Sequence, residues 1–302
     1  MKRVYQILLV AAVVAMSVGC KEQKPAGELS FTQLMEQSSP EQIEAWYNGA
    51  SRLDEEYTKA NAEMLRAQKK LLVFDLDGTL SNHKCPMPEA NRELLDKLGQ
   101  KYHLAMCGAG NAPRIFKQME NYPIDIVGNY GMQHAKVVNG ELVFTKEVFD
   151  EIDKEFFSTE CDKLRQKYGY TEFDGESLEF HKSGMVTFAL LGTKAAKEKK
   201  IVFDPDRAKR RVMYPEVLEI FKDYTVYIGG SSSFDIVGKK YNKYDATLEY
   251  AQLLGYTKEQ VLFLGDDMGD GGGDSHVRLG GLDYIHVLDF NRMPELLAFL
   301  LE

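Results

Sequence analysis

The chain has 302 residues, room for one large domain or two modest ones. Its 44% hydrophobic and 27% charged residues are the make-up of a chain that folds around a core, which excludes a wholly disordered protein. A formal net charge of −9 and no long basic run argue against a nucleic-acid partner, because that binding needs clustered Lys and Arg. They do not exclude a phosphate ester, since a metal ion and a few local cations set the field inside a site.

The first twenty residues read as a targeting segment: Lys2 and Arg3, an apolar run from Ile7 to Met16, then Ser17-Val18-Gly19-Cys20. The run is short for a transmembrane helix. Its ending resembles a bacterial lipobox, although Leu is more usual three residues before the Cys. The resemblance implies cleavage, lipidation of Cys20, and an exported protein anchored to a membrane facing the periplasm or in the outer membrane. Cys85, Cys107 and Cys161 match no zinc spacing and, being odd in number, cannot all pair, so free thiols are expected. Residues 21–37 are mostly polar and read as a tether. Ser39, Pro40 and Gln42 open a helix that should carry Ile43, Trp46, Tyr47, Ala50, Leu53, Tyr57 and Met64 along one face to residue 67, packed on the main domain.

From there strands and helices alternate. A buried strand over Lys70 to Phe74 ends at Asp75, a helix spans Pro88 to Leu98, and further strands lie at Leu104 to Cys107 and Ile124 to Val127. That alternation predicts a parallel sheet covered on both faces. The middle differs. Asn139-Gly140 joins a hairpin, a polar helix runs from Lys146 to Tyr168, and strands fall at Ser177 to Phe180 and Val186 to Leu191. A helix from Asp204 to Lys222 and strands near Thr225 to Ile228 and Phe234 to Val237 complete an α+β insert. A helix from Lys243 to Leu254 and strands at Val261 to Leu264 and Ile285 to Leu288 resume the first pattern. The expected fold is α/β: a doubly wound parallel-sheet core with an inserted α+β cap domain. The core comprises residues 68–132 and 239–302, and the cap residues 133–238.

The strongest chemical signal is Phe74-Asp75-Leu76-Asp77-Gly78-Thr79-Leu80. Two carboxylates two residues apart close a buried strand, where α/β sheets place their sites. One can attack phosphorus while the other handles protons. With that motif the chain resembles the haloacid dehalogenase superfamily of phosphotransferases from about residue 70 to its end. The resemblance implies that Asp75 becomes an aspartyl-phosphate and that Asp77 is general acid, then base. It also implies a Mg²⁺ site to which Asp77 gives a backbone carbonyl. The second motif normally supplies Ser or Thr for the phosphoryl oxygens. Here Met106-Cys107-Gly108-Ala109-Gly110-Asn111 carries no hydroxyl, and Cys107 or Gly110 takes the place; backbone N–H groups near Gly108, Gly110 and Asn111 remain to bind phosphate. Lys243 fits the third motif, a helix-opening Lys that neutralises Asp75 and the phosphate. In the fourth, the acidic turn after Val261 to Leu264, Asp266 is the expected direct Mg²⁺ ligand and Asp274 the acid behind it.

Gly265 to Asp274 is similar to the acidic turn of the eukaryotic-type phosphomannomutase branch, as are Glu179 to Met185 and Gly229 to Asp235 to its cap segments. The cap arginines that grip a distal phosphate in that branch are replaced, around His181 or Lys182 and at Thr193. His181, Lys182, Ser232 and Asp235 are the candidates to contact the leaving group. The expected function is therefore Mg²⁺-dependent hydrolysis of a small phosphorylated metabolite, with sugar phosphates among the candidates. The alternatives are a phosphohexomutase and a lipoprotein that keeps the fold and binds without turnover.

Overall fold

The computed structural model describes Ser39 and residues 51–302. The targeting segment, Cys20, the tether and most of the first predicted helix lie outside the described residues. Where that helix should continue, the chain does otherwise. Ser51 and Leu53 exchange backbone hydrogen bonds with Tyr284, adding an extended segment to the sheet edge. Two short helices follow, α1 (Glu55–Ala60), capped by Asp54, and α2 (Ala62–Gln68), separated at Asn61. Leu53 and Leu65 are buried, whereas Met64 is exposed.

In chain order there follow β1 (Leu71–Phe74), α3 (Glu89–Leu98), β2 (His103–Cys107), α4 (Ala112–Gln118), β3 (Asp125–Gly128), β4 (Gln133–Val138) and β5 (Glu141–Glu147). The second group is α5 (Lys154–Tyr168), β6 (Leu178–Phe180), β7 (Val186–Ala189), α6 (Lys197–Phe203), α7 (Ala208–Ile220), β8 (Tyr224–Tyr227) and β9 (Ser233–Gly238). Last come α8 (Lys243–Leu253), β10 (Val261–Gly265), α9 (Ser275–Leu279), β11 (Tyr284–His286), α10 (Met293–Leu296) and α11 (Ala298–Leu301). Among the described residues no helix is long and apolar enough to cross a membrane.

The core sheet has the order β11-β10-β1-β2-β3-β4-β5, with the first five parallel and β4 and β5 antiparallel. Side chains alternate across a strand. Leu72 and Phe74 of β1 therefore enter one apolar cluster and Leu71 and Val73 another, which buries the sheet on both faces. Each such side chain contributes roughly 1.5–3 kcal/mol. The fold is the α/β class expected, with one change of boundary. The hairpin at Asn139-Gly140 was assigned by sequence to the cap, but β4 pairs with β3 and extends the core sheet to residue 147. Hydrophobic alternation marks a strand without saying which sheet it joins. The polar helix also starts later than expected, at Lys154 behind the Asp153 cap, because Lys146 and Glu147 remain in β5.

The second sheet is fully antiparallel, β6-β7-β9-β8. Phe157, Cys161 and Leu164 of α5 and Met213 and Val217 of α7 fill its apolar side. Cys85, Cys107 and Cys161 are free thiols.

Candidate active site

Parallel pairing of β1 with β10 and β2 brings three strand ends to one edge, with Asp75, Asp266 and Gly108 just beyond them. Two glycines let the acids approach. Gly78 has the left-handed φ of +99°, and a Cβ there would fall 2.3 Å from Asp266 Oδ2. A Cβ at Gly265 would lie 2.4 Å from Asp274 Oδ2. Lys243 opens α8, which Asn242 caps by accepting a bond from Asp245 N at 2.8 Å. Its buried Nζ donates to Asp75 Oδ1 and to Asp274 Oδ1, each at 2.7 Å. Asp274 Oδ2 accepts from Asp267 N at 3.0 Å, so this acid holds both the lysine and the turn. Asp266 Oδ1 accepts from Thr79 Oγ1 at 3.1 Å, and His286 Nε2 donates to the Asp266 carbonyl at 2.9 Å.

Asp75, Asp266 and Asp274 each offer an oxygen, all within 4.8 Å of one another. Burial pushes the Asp75 carboxyl up to about 7; Lys243 opposes this, and Asp274 and Asp77 add to it. Burial, then Asp75, Asp274 and Asp267, push Asp266 up to about 8. Burial would lower the Lys243 ammonium, but Asp274 and Asp75 outweigh it and hold the group well above its ordinary range. Two buried carboxylates and the half-buried Asp266 thus gather around a single ammonium, and the excess of acidic groups fits a divalent cation with a preference for hard oxygen donors.

Asp77 turns away from this cluster. Its Oδ1 accepts from Lys84 N at 2.8 Å and Gln118 Nε2 at 2.6 Å, and its Oδ2 accepts from Arg114 Nη2 at 3.2 Å. Burial alone would raise its carboxyl, yet Arg114, Gln118 and the Lys84 N–H together hold it below its ordinary value. In the second motif, Gly108 lies beside Asp75: a Cβ there would be 4.0 Å from Asp75 Oδ1. Asn111 is engaged in the helix, its Oδ1 capping α4 by accepting from Arg114 N at 2.9 Å.

The second sheet meets this edge through neutral and singly charged groups. Asp235 on β9 accepts from Thr187 Oγ1 at 3.0 Å and from Tyr130 OH, a core residue, at 3.3 Å. Burial raises the Asp235 carboxyl. His181 Nε2 lies 3.1 Å from Thr187 Oγ1, which already donates to Asp235, so this nitrogen donates. Lys182 is exposed, and Ser232 is buried with its carbonyl accepting from Leu190 N at 3.0 Å. The structure therefore joins His181 and Asp235 through Thr187 and ties neither Lys182 nor Ser232 to them.

Sequence reading missed Arg114, Gln118 and Arg207. The first two follow Gly110 at helical spacing, a signal present in the sequence. Arg207, at the head of α7, pairs with Asp267 of the acidic turn, a contact made only by the tertiary fold.

Residues 72–271 match the family model of the haloacid dehalogenase-like hydrolases. The phosphomannomutase of Encephalitozoon cuniculi is 26% identical over 225 residues, covering 71% of this chain and 86% of that protein. The Saccharomyces cerevisiae phosphomannomutase is 26% identical over 223 residues, 68% of this chain and 84% of that one. Among solved structures, the N-terminally truncated, IMP-bound IMP-nucleotidase of Plasmodium falciparum is alike in fold. Its TM-score is 0.56 at 15% identity, over 99% of this chain and 79% of that one. The family match runs from the strand that carries Asp75 to the turn after Asp266, about two thirds of the sequence, and the chain belongs to the haloacid dehalogenase-like hydrolase family.

Proposed function

We propose that this hydrolase is a Mg²⁺-dependent phosphatase that acts on a small phosphate monoester, a sugar phosphate being the leading class, through an aspartyl-phosphate on Asp75. One observation carries the reading: a buried strand-end carboxylate whose Oδ1 is held by Lys243 at 2.7 Å while Oδ2 accepts no bond from any of the described residues. Asp75 Oδ2 attacks phosphorus and the bond to the leaving oxygen breaks; the resemblance gives Asp77 the protonation of that oxygen, a task for which its carboxyl must first take up a proton from solvent and turn from Gln118 toward the substrate. Water then attacks the phosphoryl group, Asp77 takes the proton, and the bond to Asp75 breaks to release inorganic phosphate. Lys243 offsets charge on Asp75 throughout. Asp75 and Asp266, with Asp274 behind them and the Asp77 carbonyl implied by the family, are the residues that would hold Mg²⁺. Bound there, the ion would neutralise the phosphoryl oxygens.

A second reading, a phosphohexomutase, is favoured by the names of the curated relatives. Against it, His181 is bonded to Thr187, and Thr193 Oγ1 accepts from Glu176 N at 3.0 Å, where the mutase resemblance calls for arginines. Purified protein given a hexose 1-phosphate and catalytic hexose bisphosphate decides between them. Release of inorganic phosphate supports the phosphatase, and isomerisation without release makes the mutase correct. Binding with neither leaves a non-catalytic phosphate-binding protein. Residues 1–20, outside the described part, support the further proposal of an exported protein anchored through lipid on Cys20.

A further inference from the structure

The turn after β2 must hold phosphoryl oxygens without a hydroxyl. Cys107 does not substitute. Its side chain is fully buried in the apolar cluster beneath the sheet, and burial pushes its thiol up to about 12. Gly110, by contrast, is partly exposed. Its backbone is outside the left-handed region, so the main chain does not demand glycine there. What a side chain would meet is Arg114: a Cβ at 110 would lie 2.4 Å from its Nε, 2.9 Å from Nη2 and 3.0 Å from Cζ. The guanidinium fills the volume that a side chain at 110 would take. Asn111 fixes its start by capping α4, and Gln118, one turn on, meets the same Asp77 carboxylate. Among the described residues Arg114 makes one side-chain hydrogen bond, to Asp77 at 3.2 Å, and its side chain is 42% exposed. A guanidinium has five N–H donors in a fixed fork suited to phosphate, so four remain. Among the described residues the N–H groups of Ala109 and Gly110 beside it meet no acceptor.

We propose that Arg114 replaces the missing hydroxyl of the second motif, its guanidinium and the neighbouring N–H groups binding the phosphoryl oxygens while Asp77 holds it in place. The inference rests on the phosphatase reading. It predicts an inverted dependence between two positions. Arg114→Ala should lower kcat/KM about a hundredfold, the order seen when one donor to a developing oxyanion is removed. It should also weaken competitive inhibition by inorganic phosphate at least about tenfold. Arg114→Lys should recover only part, since an ammonium is a point charge without the fork. Gly110→Ser alone should harm, because it displaces the guanidinium. Gly110→Ser with Arg114→Ala should exceed Arg114→Ala alone by about tenfold, since it restores a hydroxyl. Circular dichroism and melting of each variant control for folding. Unchanged inhibition by phosphate in Arg114→Ala, with kcat/KM reduced, would leave Arg114 as a brace for Asp77 and overturn the proposal. If wild type hydrolyses no ester, the phosphatase reading fails separately. Calorimetric titration of wild type and Arg114→Ala with inorganic phosphate then decides this one: equal affinity overturns it, and weaker binding by the variant sustains it.

Discussion

The two faces of the cleft are built on different physics. The core face is a compact set of charged groups: Asp75 and Asp266 just beyond the ends of strands buried on both sides, Lys243 opening α8 and Asp274 ahead of α9. The opposite face, from the second sheet, is a chain of hydrogen bonds, His181–Thr187–Asp235, with one carboxylate, which reaches across to Tyr130 of the core. Buried charge costs several kcal/mol per ion unless it is paired, so the core face is tightly constrained. Hydrogen bonds among neutral groups net about 1 kcal/mol each and tolerate exchange. The difference supports the proposal that bonds are made at the core and that the cap selects the leaving group.

The sharpest way to break that division is to act on the core. Asp75→Asn keeps volume and removes the attacking oxygen, so turnover should fall at least about a thousandfold while circular dichroism is unchanged. Wild-type turnover in this variant would end the covalent mechanism. Asp266→Asn should raise the Mg²⁺ concentration needed for half activity by about ten- to a hundredfold, measured by titration after EDTA treatment. Asp274→Asn acts on the fold as well. It removes a buried partner of Lys243, and chemical denaturation should show a loss of about 3 kcal/mol. A stability equal to wild type would show that the lysine is anchored by Asp75 alone.

Acidity gives a finer test of the charged face. The Asp75 and Asp266 carboxyls stand at about 7 and about 8 in the folded protein without metal, above their ordinary values near 4. A raised carboxyl contributes stability that is present below its unfolded value and lost as pH rises through the folded one. That share of stability in EDTA should therefore decline between about pH 4 and 8. Mg²⁺ binds the ionised forms and should raise the melting temperature more at pH 8 than at pH 6. An equal rise at both would place the ion elsewhere.

The cap face should give the smaller effects. Asp235→Asn keeps the shape of the Thr187 and Tyr130 contacts and removes charge. It should change KM and the ranking of phosphate esters by about tenfold, with kcat for a good substrate changed less, as expected when binding rather than the transition state is altered. A collapse of kcat matching Asp75→Asn would erase the division. Smallest of all, Cys20→Ala should abolish lipidation in the native host, read by mass spectrometry, with no change in the turnover of purified protein. An unacylated mature N-terminus in wild type would remove the anchor proposal.

The charged face was legible in the sequence because its residues sit on local patterns that follow one another in the order of the family's motifs; Lys243 by itself would pass for a solvated surface lysine. Asp75 ends an apolar strand, Lys243 opens a capped helix, and Asp266 and Asp274 flank a glycine-rich turn; each position follows from backbone rules acting over a few residues. The sequence also determined the parallel core, since apolar strands separated by amphipathic helices have few other ways to bury both faces. Tertiary structure alone decided what sits across those local units. Alternation in the hairpin could not tell which sheet it joins, and β3, not the cap, supplied the free edge. Thr187 and Tyr130 meet Asp235 from distant parts of the chain, and Arg207 reaches Asp267 across 60 positions. Arg114 stands between the two cases: its spacing from Gly110 was readable, but that its guanidinium fills the space of the absent side chain is a matter of packing, which no local pattern encodes.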